Sequence, residues 1–296
     1  MDMDLKYLLE EVGPWDWPAG LEKDLLPILR DKNSIESEQR LAAVQMAGDY
    51  TQINDTLADA LIAIVENPAE SEEIRATAAI AFGPALEQGD IEEFIDPDEV
   101  PISEETFERI KRVLKQVYLD ASTPKLVRRR AMEGSIRAPD EWHREEIRKA
   151  YASGDEEWKL TAVFCMNHLR GFDQEVLESL KSKNPETHIE AVRAAGSFEI
   201  DAAWPHIAEL AQSERTEKEL RIAAIEALST LRPRDSLEIL VPLSDDEDED
   251  IAEAADEART MAVGFLDQGD GDDEDGDDED DEDDDDIFDE KPRRAD

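Results

Sequence analysis

Apolar residues recur every three or four positions along most of the chain, and no segment sustains the alternation of a strand, so the pattern predicts helices throughout. One helix repeats. Q-R-L-A-A-V-Q-M-A-G from Gln39, I-R-A-T-A-A-I-A-F-G from Ile74, V-R-R-R-A-M-E-G from Val127 and W-K-L-T-A-V-F-C-M from Trp158 align on one alanine. T-H-I-E-A-V-R-A-A-G from Thr187, L-R-I-A-A-I-E-A-L from Leu220 and I-A-E-A-A-D-E-A from Ile251 continue the series. The anchors are Ala43, Ala78, Ala131, Ala162, Ala191, Ala224 and Ala255, spaced 35, 53, 31, 29, 33 and 31 residues apart. Each segment follows a second apolar stretch at helical spacing, such as L-A-D-A-L-I-A-I-V-E from Leu57, which makes seven helix pairs. Ser71, Thr123-Pro124, Ser153-Gly-Asp-Glu-Glu and Asn184-Pro-Glu stand at the breaks and carry helix-start chemistry, a side-chain oxygen followed by acids or proline.

Two further positions recur. A small residue three places after the anchor (Ala81, Gly134, Cys165, Ala194, Ala227, Ala258) lets the second helix of each pair press closely on its neighbours. The place three before the anchor holds Arg40, Arg75, Arg128, Lys159, His188 and Arg221 in six copies, a charge expected to bridge to acids of the preceding turn or the adjacent repeat. This pattern resembles the HEAT repeat, in the short form of about 30 residues found in bacterial and archaeal proteins related to the bilin lyases. The resemblance implies an all-α solenoid, a right-handed superhelix whose concave face binds a partner. The last copy departs, with Ala252 in the arginine place and Asp256 and Arg259 at normally apolar sites, as the polar outer face of a terminal cap requires. The expected layout is an N-terminal cap over 1–19, the solenoid over 20–264 with an insertion near 83–104, and an acidic tail over 265–296. That tail is too charged to bury a core and is expected to be disordered. Trp15 and Trp17 are expected to pack as a lid on the open N-terminal end. The insertion, with Pro97 and Pro101, is expected to project as an acidic loop.

Charge narrows the function classes. The chain carries a formal net charge of -46; residues 267–296 hold 19 acidic and 3 basic residues, and the rest remains at -30. A surface that negative repels nucleic acid and anionic membranes, or reflects a high-salt host. The same charge argues against HEAT-like DNA glycosylases, which combine a cationic groove with tryptophan and aspartate. The single Cys165 excludes an internal disulfide, and the acidic amino terminus lacks signal-peptide character, so a cytoplasmic monomer is expected. His143, His168, His188 and His206 lack the i, i+4 spacing of a helical metal site and read as surface or turn residues. Cys165 fills a small core slot. The sequence shows no nucleophile motif, phosphate loop, metal ligands or cofactor signature.

The exception to the acidity is residues 109–149, with 12 basic and 6 acidic residues. Arg128 is a framework residue, whereas Arg129 stands where the other copies mostly have Leu, Ala or Ile, and Arg130 where most have Ala or Thr. Arg129 and Arg130, with Lys125, Arg109, Arg112 and Arg137, are therefore the candidate contacts for a protein partner, an acidic one on grounds of charge. The expected function is a non-enzymatic protein-interaction scaffold. The alternative, implied by the resemblance alone, is an accessory factor or lyase for a prosthetic group.

Overall fold

The computed structural model describes residues 5–13, 17–18, 20–31, 37–49, 53–92, 94 and 100–269. Among them the regular elements are all helical. Seven consecutive pairs form the body: α2 (Leu21–Arg30) with α3 (Ser37–Asp49), α4 (Asp55–Glu66) with α5 (Glu72–Ile80), and α7 (Glu104–Leu119) with α8 (Lys125–Ser135). They continue as α9 (Glu141–Tyr151) with α10 (Glu156–Cys165), α11 (Asp173–Ser179) with α12 (Pro185–Ser197), α13 (Trp204–Gln212) with α14 (Lys218–Leu231), and α15 (Pro233–Leu243) with α16 (Glu249–Gly269). Helix α1 (Leu5–Glu11) precedes the array, and α6 (Gly83–Glu92) lies between the second and third pairs.

The second helices stack in chain order, α3 on α5, then α8, α10, α12, α14 and α16, while the first helices form an outer layer on them. That is a solenoid, in which each repeat buries its apolar stripe against its neighbours. All seven anchor alanines are fully buried. So are Phe82, Leu114 and Phe172 to within 2 %, and each such large side chain stabilises the stack by about 1.5–3 kcal/mol.

The helix starts are built largely as their residues predict. Ser71 Oγ accepts from the Ile74 N–H at 3.2 Å and Asn184 Oδ1 from that of Thr187 at 3.0 Å. In the segment from Ser153 the cap is Asp155, which accepts from Glu157 and Trp158, and Ser153 Oγ instead accepts from the Asp155 N–H. Pro124 begins α8 without a side-chain cap.

The recurrent arginine has a role beyond the expected ion pair. Arg40, Arg75, Arg128 and Arg221 donate to the carbonyls of Leu29, Val65, Tyr118 and Ala211, each the penultimate residue of the outer helix in its own pair. Each guanidinium thus satisfies a carbonyl that has no intrahelical partner and places a positive charge at the negative end of a helix dipole. Arg40 and Arg221 also reach an acid of the next repeat, Glu70 at 2.8 Å and Asp246 at 3.0 Å. Lys159 instead lies over the Tyr151 ring, and His188 meets His206.

The insertion begins as a helix rather than a projecting loop. Helix α6 packs on α3, α7 and α8, and Val100 and Ile102 beyond it are buried. Residues 93 and 95–99, Pro97 among them, lie outside the described residues. Trp17 pins α1, donating through Nε1 to the Leu8 and Val12 carbonyls at 3.2 and 3.0 Å; Trp15 lies outside the described residues. Helix α16 runs past the expected boundary at 264 to Gly269, and residues 270–296 lie outside the description. Among the described residues, no helix is long and apolar enough to cross a membrane.

Candidate functional site

The surface left open by the outer layer is a groove lined by the inner helices. One cavity of about 530 Å³ runs from Arg137 and Phe164 across α12 and α14 to Glu257 and Met261 on α16. A second, of about 470 Å³, lies over α8 and α10, and Phe164 and Glu190 line both.

At the α8 end lies a polar cluster that the repeat pattern only half discloses. Arg129 is buried at 7 % exposure and donates through Nε to Thr161 Oγ1 at 2.8 Å. Thr161 donates to Glu133 Oε1 at 2.5 Å, and Arg130 Nη1 donates to Glu133 Oε2 at 2.6 Å. Glu133 is itself 3 % exposed, so its carboxylate is held by two donors inside the interface between α8 and α10. The spacing singled out Arg129 and Arg130 but not Glu133, whose register position holds Gln45, Arg193, Glu226 and Glu257 as well as Ile80 and Phe164 in other copies, so that a carboxylate there is no departure from the repeat. Its place on the same helix, three residues after one non-consensus arginine and four after another, was the available signal.

The six candidate contacts do not form one free patch. Lys125 bridges Asp155 and Glu157 of the next repeat, and Arg129 Nη1 reaches the same Glu157 at 3.3 Å. Arg137 pairs with Glu87 on α6 at 2.8 Å and lines the groove. Arg109 pairs with Asp59, and Arg112 is exposed, both on the outer helix α7. The positive charges of residues 109–149 are thus largely engaged within the fold.

The histidines differ from their expected surface placement. His143 is 1 % exposed: its Nδ1 accepts the N–H of Asp140 at the start of α9 at 2.9 Å, and its Nε2 lies 3.0 Å from Ser135 Oγ. His188 and His206, 18 residues apart, meet Nε2 to Nε2 at 3.1 Å between α12 and α13, a pairing across repeats that sequence spacing cannot reveal. Cys165 is fully buried, and burial pushes its thiol well above the ordinary range, as suits a core filler.

Burial pushes His143 down to about 4, against the pull of Asp140 and with help from Lys111 and Lys115. Between that value and the unfolded histidine value of about 6.5 the unfolded chain binds a proton that the folded chain refuses. His143 therefore contributes stability above the unfolded value, and this is lost as pH falls through that window. The stability advantage of wild type over His143→Gln is expected to shrink from pH 7 to pH 4.5, measured by urea unfolding at each pH. An advantage that grows on acidification would contradict the buried neutral imidazole.

Residues 174–258 match the family model described as HEAT repeats. No curated protein matches the chain's sequence. Among solved structures, human deoxyhypusine hydroxylase in complex with glycerol is 16% identical, covering 88% of this chain and 94% of that one with a TM-score of 0.39. Two engineered proteins are 17% and 18% identical, with TM-scores of 0.38 and 0.35; they cover 82% and 81% of this chain, and 81% and 97% of their own chains are matched. At these scores no activity or ligand carries over. The family match and the stacking of successive helix pairs agree: residues 174–258 match HEAT repeats, and the described residues are built as an all-α solenoid of stacked helix pairs.

Proposed function

We propose that the chain is a non-enzymatic scaffold that holds a protein partner along the groove of its inner helices. The observation that carries this reading is the groove's continuity. Cavities of about 530 and 470 Å³ share Phe164 and Glu190 and extend from α8 to α16, an extended site of the kind that suits a polypeptide segment. The non-enzymatic part is supported by the placement of the reactive side chains. The Cys165 thiol is sealed in the core, and His143 serves to start a helix.

A photo-crosslinking residue in place of Phe164, expressed in the native host, is expected to yield adducts with a partner protein. The same residue in place of Val241, which is 55 % exposed on the outer helix α15, is expected to yield none of them. Equal labelling from both positions, or none from Phe164, would remove the groove as the binding face.

A further inference from the structure

The groove does not carry the charge that the basic middle of the sequence suggests. Between α12 and α16 its guanidiniums are already answered, Arg193 by Glu190 at 2.8 Å and Arg137 by Glu87 at 2.8 Å. Glu226 on α14 and Glu257 on α16 are exposed in the same cavity and make no ion pair among the described residues. Burial raises the carboxyl of Glu226 above its usual range, with Glu257 adding repulsion against the pull of Arg193. Two like charges share a partly desolvated space in which the nearby guanidinium, Arg193, is already bonded to Glu190.

A second observation points the same way. Asn167 lines this cavity, and its Oδ1 is buried with no hydrogen-bond partner while its Nδ2 donates to Glu190 at 2.7 Å. Neighbouring His168 is pushed down to about 4 by burial, with Arg137 adding to the shift, and so is uncharged at neutral pH. The unfilled capacity of the groove is therefore for hydrogen-bond donors and positive charge. Beside these acceptors, Met261 is 52 % exposed in the cavity, and Phe265 one turn further along α16 is 44 % exposed. The lining that can receive an occupant is acidic and apolar side by side.

We infer that the groove between α12 and α16 docks a basic, extended segment of a partner protein, with an arginine or lysine side chain between Glu226 and Glu257 and an apolar neighbour against Met261. This rests on the scaffold reading and gives it a partner chemistry, the opposite in sign to the acidic partner suggested by Arg129 and Arg130. A guanidinium fits best, because its planar fork can serve two carboxylates and a carbonyl acceptor at once, whereas an ammonium is a point charge.

The test uses the full chain and a fluorescein-labelled peptide of alternating arginine and leucine, followed by fluorescence anisotropy at about 0.15 M salt, where long-range attraction is screened. Glu226→Gln/Glu257→Gln is expected to weaken binding about tenfold, since both charges are desolvated on contact. Glu209→Gln/Glu238→Gln removes the same charge from exposed sites on the outer helices α13 and α15 and is expected to change binding less than about twofold. Equal weakening by both pairs would mean that the peptide follows net charge alone and would overturn the assignment, as would absence of binding to wild type. The chain's own Lys291-Pro292-Arg293-Arg294 segment is the rival occupant. If Lys291→Glu/Arg293→Glu/Arg294→Glu strengthens peptide binding about tenfold, that segment fills the groove and the partner assignment falls. Adducts from Phe164 without peptide binding would leave the scaffold reading standing and remove only the basic-segment assignment.

Discussion

Replacing Arg129 and Arg130 together by Leu and Ala, the residues of other repeats at those positions, is expected to destabilise the chain by about 3–5 kcal/mol. The substitutions look benign in the repeat alignment, where Leu41 and Ala42 occupy the same places. The cost arises at Glu133. With both guanidiniums gone, a carboxylate that is 3 % exposed keeps only the Thr161 hydroxyl as a donor, and an unpaired buried charge is among the most unfavourable arrangements a core can hold. Adding Glu133→Ile, the residue found at the equivalent Ile80, is expected to recover most of the loss, because an apolar side chain suits the slot once the cluster is gone. Urea unfolding of the double and triple variants measures this. A triple variant as unstable as the double would show that the arginines stabilise by packing rather than by holding Glu133.

That prediction also bears on how the basic middle is tested. Loss of partner binding on reversing Arg129 and Arg130 to glutamate would follow from disrupting the interface between α8 and α10 as readily as from losing a contact. Binding assays at these positions therefore require a folding control, whereas Glu226 and Glu257 are exposed and can be neutralised without touching the core.

What the sequence discloses follows from what a repeat can encode. Anchor alanines, outer and inner helices and most caps are local periodic features, and seven copies average out the noise of any one. The arginine three before the anchor was legible as a framework residue, but its carbonyl acceptor was not, since that acceptor is a backbone atom near the end of another helix and carries no side-chain signature. Departures from the repeat were legible as departures. Their partners, Thr161 for Arg129 and His206 for His188, come together only when one repeat stacks on the next. The groove was expected from the resemblance, while its acidity was hidden by the cations nearby in sequence, whose charges are taken up by Glu87, Asp155, Glu157 and Glu133.

Gly134→Ala is expected to destabilise the chain by about 3 kcal/mol, a large cost for one methyl group. Gly134 is the smallest of the residues three places after the anchor, and there α8 meets α5 at its closest. A Cβ at this position would stand 2.4 Å from the Ala79 carbonyl oxygen and 3.2 Å from Ile80 Cα, and both are backbone atoms that no rotamer change can move. The two helices must separate, and the apolar contacts that join the second repeat to the third loosen along their length. In a solenoid, stability is approximately a sum over nearest-neighbour interfaces, so weakening one lets the segments on either side unfold apart. Urea unfolding is therefore expected to show a lowered slope or two steps as well as a lower midpoint. Gly264→Ala on α16 is the internal comparison: nothing lies within 4 Å of its added Cβ, and alanine there is expected to stabilise the helix by up to about 1 kcal/mol. If both substitutions stabilise, the approach of α5 to α8 is looser than its geometry states, and the small residue at this position reflects helix propensity rather than packing.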